Sequence, residues 1–436
     1  MIDGRSGRTM NQDPEQSRSV GLSILGSNQV EPWGLPDPGP STLAVALDGE
    51  HPPSREELSR FLLERSSSEE SVRELDERLA GPPFALWSMP VAIGSHPIPA
   101  VVWVEEVQDP EGLPPVASQA RWLLAVQTIL DPQQPLETWT RMAGFLLDAS
   151  TEPLALLDEE TEQWFGPEEL SLHFRGTSPT THEEMLFRVD AFALESPPEQ
   201  SDSVWLHTRG LHRCGCPELE LLELPGDRMS TAHELINAVG AMLVARGSPG
   251  PGEPFEIGPP LKVTLQDWAR CTEFLSDASV GGRRHRETLG GSRDNPLLVA
   301  RAVLCSPELA GTFRKIHVWP RETMDSIDSG ESALERTPSW TRHRSAIARS
   351  LWPRFLELHG SGSSMLACIA MELLPGSREH VWVRVLEAGE DSLSGVTVSD
   401  HPSGSLPGGS RVDLDRLDTL VDWFSPDQES SSGGGR

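Results

Sequence analysis

The stretch Val204-Trp-Leu-His-Thr-Arg-Gly-Leu-His-Arg-Cys-Gly-Cys-Pro-Glu-Leu-Glu-Leu-Leu-Glu-Leu224 organises the reading of this chain. Apolar runs flank a turn punctuated by Gly210, Gly215 and Pro217, so the segment predicts two strands joined through Cys-Gly-Cys-Pro. It also holds the densest group of chemically distinctive side chains in the sequence: Trp205, His207, Arg209, His212, Arg213, Cys214, Cys216, Glu218 and Glu220. No motif in it specifies a reaction.

Working outward, Met185 to Leu194 supplies a strand upstream. Downstream, Ser230 is placed to cap a helix whose Leu235, Ile236, Val239, Met242 and Leu243 recur at helical spacing, and Gly247 ends it. Strand candidates 261–265 and 297–304 complete a middle unit over residues 180–322. The N-terminal unit, 39–179, opens with the apolar run Thr42–Leu47. Ser54, three residues before Glu57, forms a capping box for the following helix. Strands at 84–93, 98–104 and 122–129 follow, then a helix over 135–149. The C-terminal unit, 333–426, begins with a helix over 340–358, bent at Pro353, and continues with strands at 365–374, 380–386 and 394–398. In the second of these, Val381, Val383 and Val385 alternate with Trp382, Arg384 and Leu386, as a strand covered on one face does. The fold class is therefore α+β: two or three units of largely antiparallel sheet with packed helices. The polar ends, 1–38 and 427–436, are expected to be disordered, and Met10 is an alternative start to Met1.

A chain of 436 residues exceeds what one core usually supports. Its 66 acidic against 36 basic residues give a formal charge of -30, which repels phosphate backbones and argues against nucleic acid as a partner. Only Lys262 and Lys315 are lysines and Tyr is absent, a bias that suggests a GC-rich genome. No run is apolar and long enough to span a bilayer, and the N-terminus lacks the apolar core of a secretory signal. Five sparse cysteines do not make a disulfide scaffold. A cytoplasmic protein with reduced thiols, no membrane partner and no cofactor is the expectation.

His207, His212, Cys214 and Cys216 carry the ligand chemistry of zinc, but Cys-x-Cys is tighter than the usual Cys-x-x-Cys loop and no second pair stands at finger spacing. Cys214 activated by His207 or His212, with the Gly215 amide as oxyanion donor, is the catalytic candidate. The structural alternative is a turn, with Glu218 and Glu220 on the solvent face of a strand and Arg209 or Arg213 pairing with them. Glu379, His380 and Asp422 form a conceivable acid/base set, against which stands packing of His380, Trp382 and Trp423 on and beside one sheet. The basic run Arg283-Arg-His-Arg286 is either an anion grip or a solvated loop.

Two resemblances come from these residues. The block from Trp205 to Glu220 resembles domain of unknown function 4026, although family members usually carry an apolar residue at the position of Cys216. The C-terminal quarter resembles the bacterial domain of unknown function 2314 through Glu379-His-Val-Trp-Val383, Leu393-Ser-Gly-Val, Asp400-His-Pro402, Pro407-Gly-Gly-Ser-Arg-Val412 and Asp422-Trp423. The resemblances imply a bacterial, intracellular, multi-domain protein and no particular activity.

The functional expectation is a non-catalytic module binding a protein or ligand. Contacts would come from Trp205, Arg209, Arg213, Glu218, Glu220, His380, Trp382 and Trp423. The acidic surface suits a partner with a basic one, and an immunity or antitoxin role is one concrete form. The alternative is a hydrolase or zinc-dependent enzyme centred on His207 to Cys216.

Overall fold

The computed structural model describes residues 33–35, 37–65, 72–75, 81–175, 179–193, 203–268, 271, 275, 279–282, 284, 286, 301–305, 319–374, 377–400 and 406–426. The tail 427–436 and most of the lead 1–38 lie outside them. Trp33, within that lead, donates its indole N–H to the Pro249 carbonyl at 2.7 Å.

The architecture is α+β, built on three sheets. The first has the order β2-β3-β4-β5-β1-β6-β7, from β1 (Ser41–Leu47), β2 (Val72–Glu74), β3 (Trp87–Ile93), β4 (Ala100–Glu106), β5 (Trp122–Thr128), β6 (Ala155–Asp158) and β7 (Gln163–Phe165). Helices α1 (Arg55–Arg65) and α2 (Pro135–Asp148) cover one face, and α3 (Pro167–His173) follows β7. Every residue of β1 is buried because both its faces are covered. Leu43, Val45 and Leu47 meet the helices, while Ala44 and Ala46 are small enough for a second apolar layer with Trp103, Ala125 and Ala117. The capping box forms as expected: the Glu57 amide donates to Ser54 Oγ at 3.1 Å and the Ser54 amide to Glu57 Oε2 at 3.3 Å.

The second sheet has the order β11-β12-β13-β10-β9-β8, from β8 (Arg188–Ala193), β9 (Ser203–Arg209), β10 (Glu218–Pro225), β11 (Pro254–Gly258), β12 (Leu261–Asp267) and β13 (Arg301–Cys305). All its pairings are antiparallel except β10 with β13. Helix α4 (Met229–Arg246) lies on it and ends at Gly247, with φ of 83°. The cap expected at Ser230 sits one residue inside the helix, because the 3-10 turn Gly226–Arg228 leads straight into Met229. One apolar core runs from the first sheet through Met185, Leu186 and Phe187 to α4 and the second sheet. Gly240 makes that passage possible: a Cβ there would stand 2.6 Å from the Phe187 ring.

After α5 (Arg321–Asp328), the C-terminal unit has a separate core. The helix expected over 340–358 is two helices, α6 (Pro338–Ser350) and α7 (Trp352–Gly360), which break at Leu351 because Pro353 cannot donate into a continuing helix. They cover one face of the sheet β17-β16-β15-β14-β18, formed by β14 (Leu366–Leu374), β15 (Ser377–Ala388), β16 (Leu393–Thr397), β17 (Arg411–Leu414) and β18 (Leu420–Phe424). Val381, Val383 and Val385 enter that core, as their alternation requires. Among the described residues, no helix is long and apolar enough to cross a membrane.

Candidate functional site

The stretch 204–224 forms β9, a 3-10 turn over Leu211–Cys214 and β10. Gly210 and Gly215, at the two ends of the turn, take φ of 117° and 73°; a Cβ on Gly210 would also stand 2.5 Å from the Leu186 carbonyl.

Glu218 is the centre of the turn. Its carboxylate accepts from Thr208 Oγ1 at 2.7 Å, the Gly210 amide at 2.8 Å, the His212 amide at 3.1 Å and His212 Nδ1 at 2.8 Å. Burial pushes this carboxyl up, but the hydrogen bonds and charge of His212, with Thr208, outweigh it and hold it at about 2. Reciprocally, burial pulls the His212 imidazole down, while Glu218 and Glu160 outweigh that and raise it. The pair is an internal ion pair, and Glu160 stands 3.6 Å from His212 Nε2.

Arg213 leaves the same turn in the other direction. Nη1 and Nη2 donate to Asp158 of β6 at 2.8 and 2.5 Å, and Nε and Nη2 donate to the Leu186 carbonyl at 3.2 and 2.8 Å. Trp139 Nε1 donates to the same Asp158 at 3.0 Å. Arg209 reaches Glu162 at 3.0 Å. The second sheet is thereby strapped to the first.

Two residues along β10 from Glu218, Glu220 takes a two-pronged contact from Arg286 at 2.9 and 2.6 Å. That guanidinium is held between the Trp205 and Trp268 rings, 4.6 and 4.7 Å from their centroids. Arg286 is thus neither a solvated loop charge nor an open anion grip. Arg284 is exposed, and Arg283 and His285 lie outside the described residues.

Residues 192–297 match the family described as "Protein of unknown function (DUF4026) C-terminal". No curated protein and no solved structure matches the chain. The matched region covers about a quarter of the sequence and holds the Glu218 and Arg286 contacts just described, and Arg213 but not its partners Asp158 and Leu186.

Within the matched region the four zinc and nucleophile candidates are dispersed. His207 lies in an aromatic layer, stacked on Phe192 at 5.2 Å and beside Trp205, whereas His212 faces Glu218 and Glu160. Cys214 and Cys216 are buried in the core. Burial pushes the Cys214 thiol well above its ordinary value and Cys216 up to about 11, both protonated near neutrality. Among the described residues, no three His, Cys, Asp or Glu side chains are arranged to hold a metal ion. The arrangement tightens a joint between sheets; its charges already have partners.

The C-terminal candidates separate by face. Trp423 packs inward, 5.3 Å from Phe355, and donates to the Ala348 carbonyl at 3.0 Å. Asp422 is taken by Arg344 of α6, and the Glu379 side chain lies outside the described residues. His380 and Trp382 point outward.

A second group had no signature in the sequence. His173, His182 and His343 are buried together where α3 and α6 meet, with ring centroids 4.8 Å apart for His173–His343 and 4.1 Å for His182–His343. Residues so far apart in the chain leave no spacing to read.

Proposed function

We propose that the chain is a non-catalytic binding protein that docks a protein partner on the outer face of its C-terminal sheet. The observation that carries this is Trp382. The residue is 38% exposed in the middle of a strand, and its ring meets Phe424 edge-on at 5.2 Å. Leu386, four residues on along the same strand, is 53% exposed, and Val398 follows β16 at 45%. A partly exposed aromatic ring flanked by apolar side chains is the composition of an interface anchor. The formal charge of -30 supports a partner with a basic surface, and an immunity or antitoxin-like role is the concrete form this takes. The five cysteines, all unpaired and buried, support a reducing, cytoplasmic setting. A hydrolase or zinc enzyme centred on His207 to Cys216 is less favoured, because Cys214 and Cys216 are buried and hard to ionise.

The test is purification of the tagged chain and its Trp382→Ser variant from host lysate at low and high salt, with stoichiometry read by mass spectrometry. One partner near one-to-one, weakened by salt and lost with Trp382→Ser, supports the reading. A partner held equally by the variant, or none at all, overturns it.

A further inference from the structure

The three buried histidines stand at a mechanical junction. Helix α6 belongs to two bodies: Ala348 lies in the C-terminal core with Trp352 and Phe355, while the N-terminal half of the helix meets α3 and the 3-10 turn Glu183–Leu186. The two apolar cores are distinct, so this contact between them is made by polar and imidazole groups. His343 Nδ1 donates to the Thr180 carbonyl at 2.8 Å. His173 Nδ1 and His182 Nδ1, both buried, have no hydrogen-bond partner among the described residues.

Of the charges near the rings, Arg342 of α6 is exposed, beside Thr181 and Glu183, and the others are engaged. From the 3-10 turn, Glu183 accepts from Thr337 Oγ1 at 2.6 Å and from Ser339 Oγ at 2.5 Å, and Glu184 pairs with Arg336 at 3.4 Å. From α6, Arg344 pairs with Asp422 of β18. From α4, Glu234 acts on Glu184. Among the described residues no carboxylate hydrogen-bonds to any of the three imidazoles. A proton on one ring would face two neighbouring rings and the Arg344 cation in a site shielded from water.

We propose that His173, His182 and His343 form an acid-sensitive latch, which holds the C-terminal unit against the rest of the chain while neutral and releases it when the rings take up protons. Burial holds His182 at about 3, with His343, His173 and Arg344 adding to it. Burial likewise holds His343 at about 4 against the opposite pull of the Thr180 carbonyl, and it lowers His173. All three shifts favour the neutral ring in the closed joint. Once opened, solvated imidazoles return to their ordinary value near 6.5. Below it, each pH unit moves the closed-to-open ratio about tenfold toward open per imidazole, down to the closed-state value. At about pH 5, His182 and His343 together shift the ratio about a thousandfold. Glu184 opposes part of this, since burial raises its carboxyl and the closed joint therefore protonates it earlier.

The experiment is small-angle X-ray scattering of the full chain from about pH 7.5 to about pH 4.5, with near-UV circular dichroism reporting the packed Trp rings and His182→Phe as the comparison. The expected result is a reversible rise in radius of gyration with the near-UV signal retained. His182→Phe keeps a ring against His343 but cannot take a proton, so its opening should need a lower pH. If that variant fails to fold, imidazole NMR titration of the wild type decides: two rings titrating well below 6.5 and moving with the scattering change support the latch, and ordinary values overturn it. A chain that stays closed throughout, opening unchanged in His182→Phe, or opening only with loss of the near-UV signal, also overturns it.

Discussion

Arg213 and Asp158 stand 55 residues apart in the chain and meet as a fully buried, two-pronged ion pair between the two largest sheets. Removing either partner leaves the other charge in the core without compensation, at a cost of about 3–5 kcal/mol. Arg213→Met and Asp158→Leu should each lower unfolding free energy by about that amount, and the double variant should lose less than the sum. Guanidinium unfolding of the four chains measures this. A single-variant loss under about 1 kcal/mol would show that the pair does not strap the sheets.

Glu218 and His212 give stability a pH dependence of known sign. Glu218 is lowered, so its contribution is present above 4.5 and lost as pH falls toward about 2. His212 is raised, so its contribution is present below 6.5 and lost as pH rises through its folded value. Both are complete only between those limits. The fall of Glu218 from 4.5 to about 2 corresponds to about 3 kcal/mol, at ~1.4 kcal/mol per pH unit. The stability difference between wild type and Glu218→Gln should therefore be largest near about pH 5.5 and smaller at about pH 3 and about pH 8.5. Taking the difference cancels the opposing titration of His182 and His343. A flat difference across the three values would remove the ion pair from the account.

The thiols should be inert in the native protein. Burial holds Cys214 well above its ordinary value, Cys216 at about 11 and Cys368 at about 12. At about pH 8 native chain treated with iodoacetamide should carry no label at these three positions, and unfolded chain should carry it at all of them. Fast native labelling of Cys214 alone would revive it as a nucleophile.

These relationships show what a sequence exposes and what it hides. The capping box at Ser54 and Glu57 was legible because its two bonds close within three residues. The face of β15 was legible because side chains alternate along any strand. Trp382 and Trp423 looked equivalent as candidates, yet one is exposed and the other packs against Phe355; only the placement of α6 and α7 separates them. Arg286 read as a loop charge because Glu220, which captures it, lies 66 residues upstream. The histidine latch depends on α6 reaching Thr180 from 163 residues away, and no periodicity spans that distance. The parallel pairing of β10 with β13 was hidden for the same reason.

Gly240 tests how tightly the two larger sheets are joined. An exposed Gly inside a helix costs up to about 1 kcal/mol relative to Ala, so Gly→Ala ordinarily stabilises. Here the added methyl would stand 2.6 Å from Phe187 Cζ and 2.9 Å from Cε2, and Phe187 sits in the passage of core between the sheets. The ring cannot retreat without displacing that core, so Gly240→Ala should destabilise by about 1–3 kcal/mol. Phe187→Leu alone should also destabilise, by removing ring contacts, but combined with Gly240→Ala it makes room for the methyl. The double variant should therefore be more stable than the two single losses predict when added. Strict additivity would mean that the helix shifts to take the methyl and that its contact with Phe187 is looser than the geometry implies.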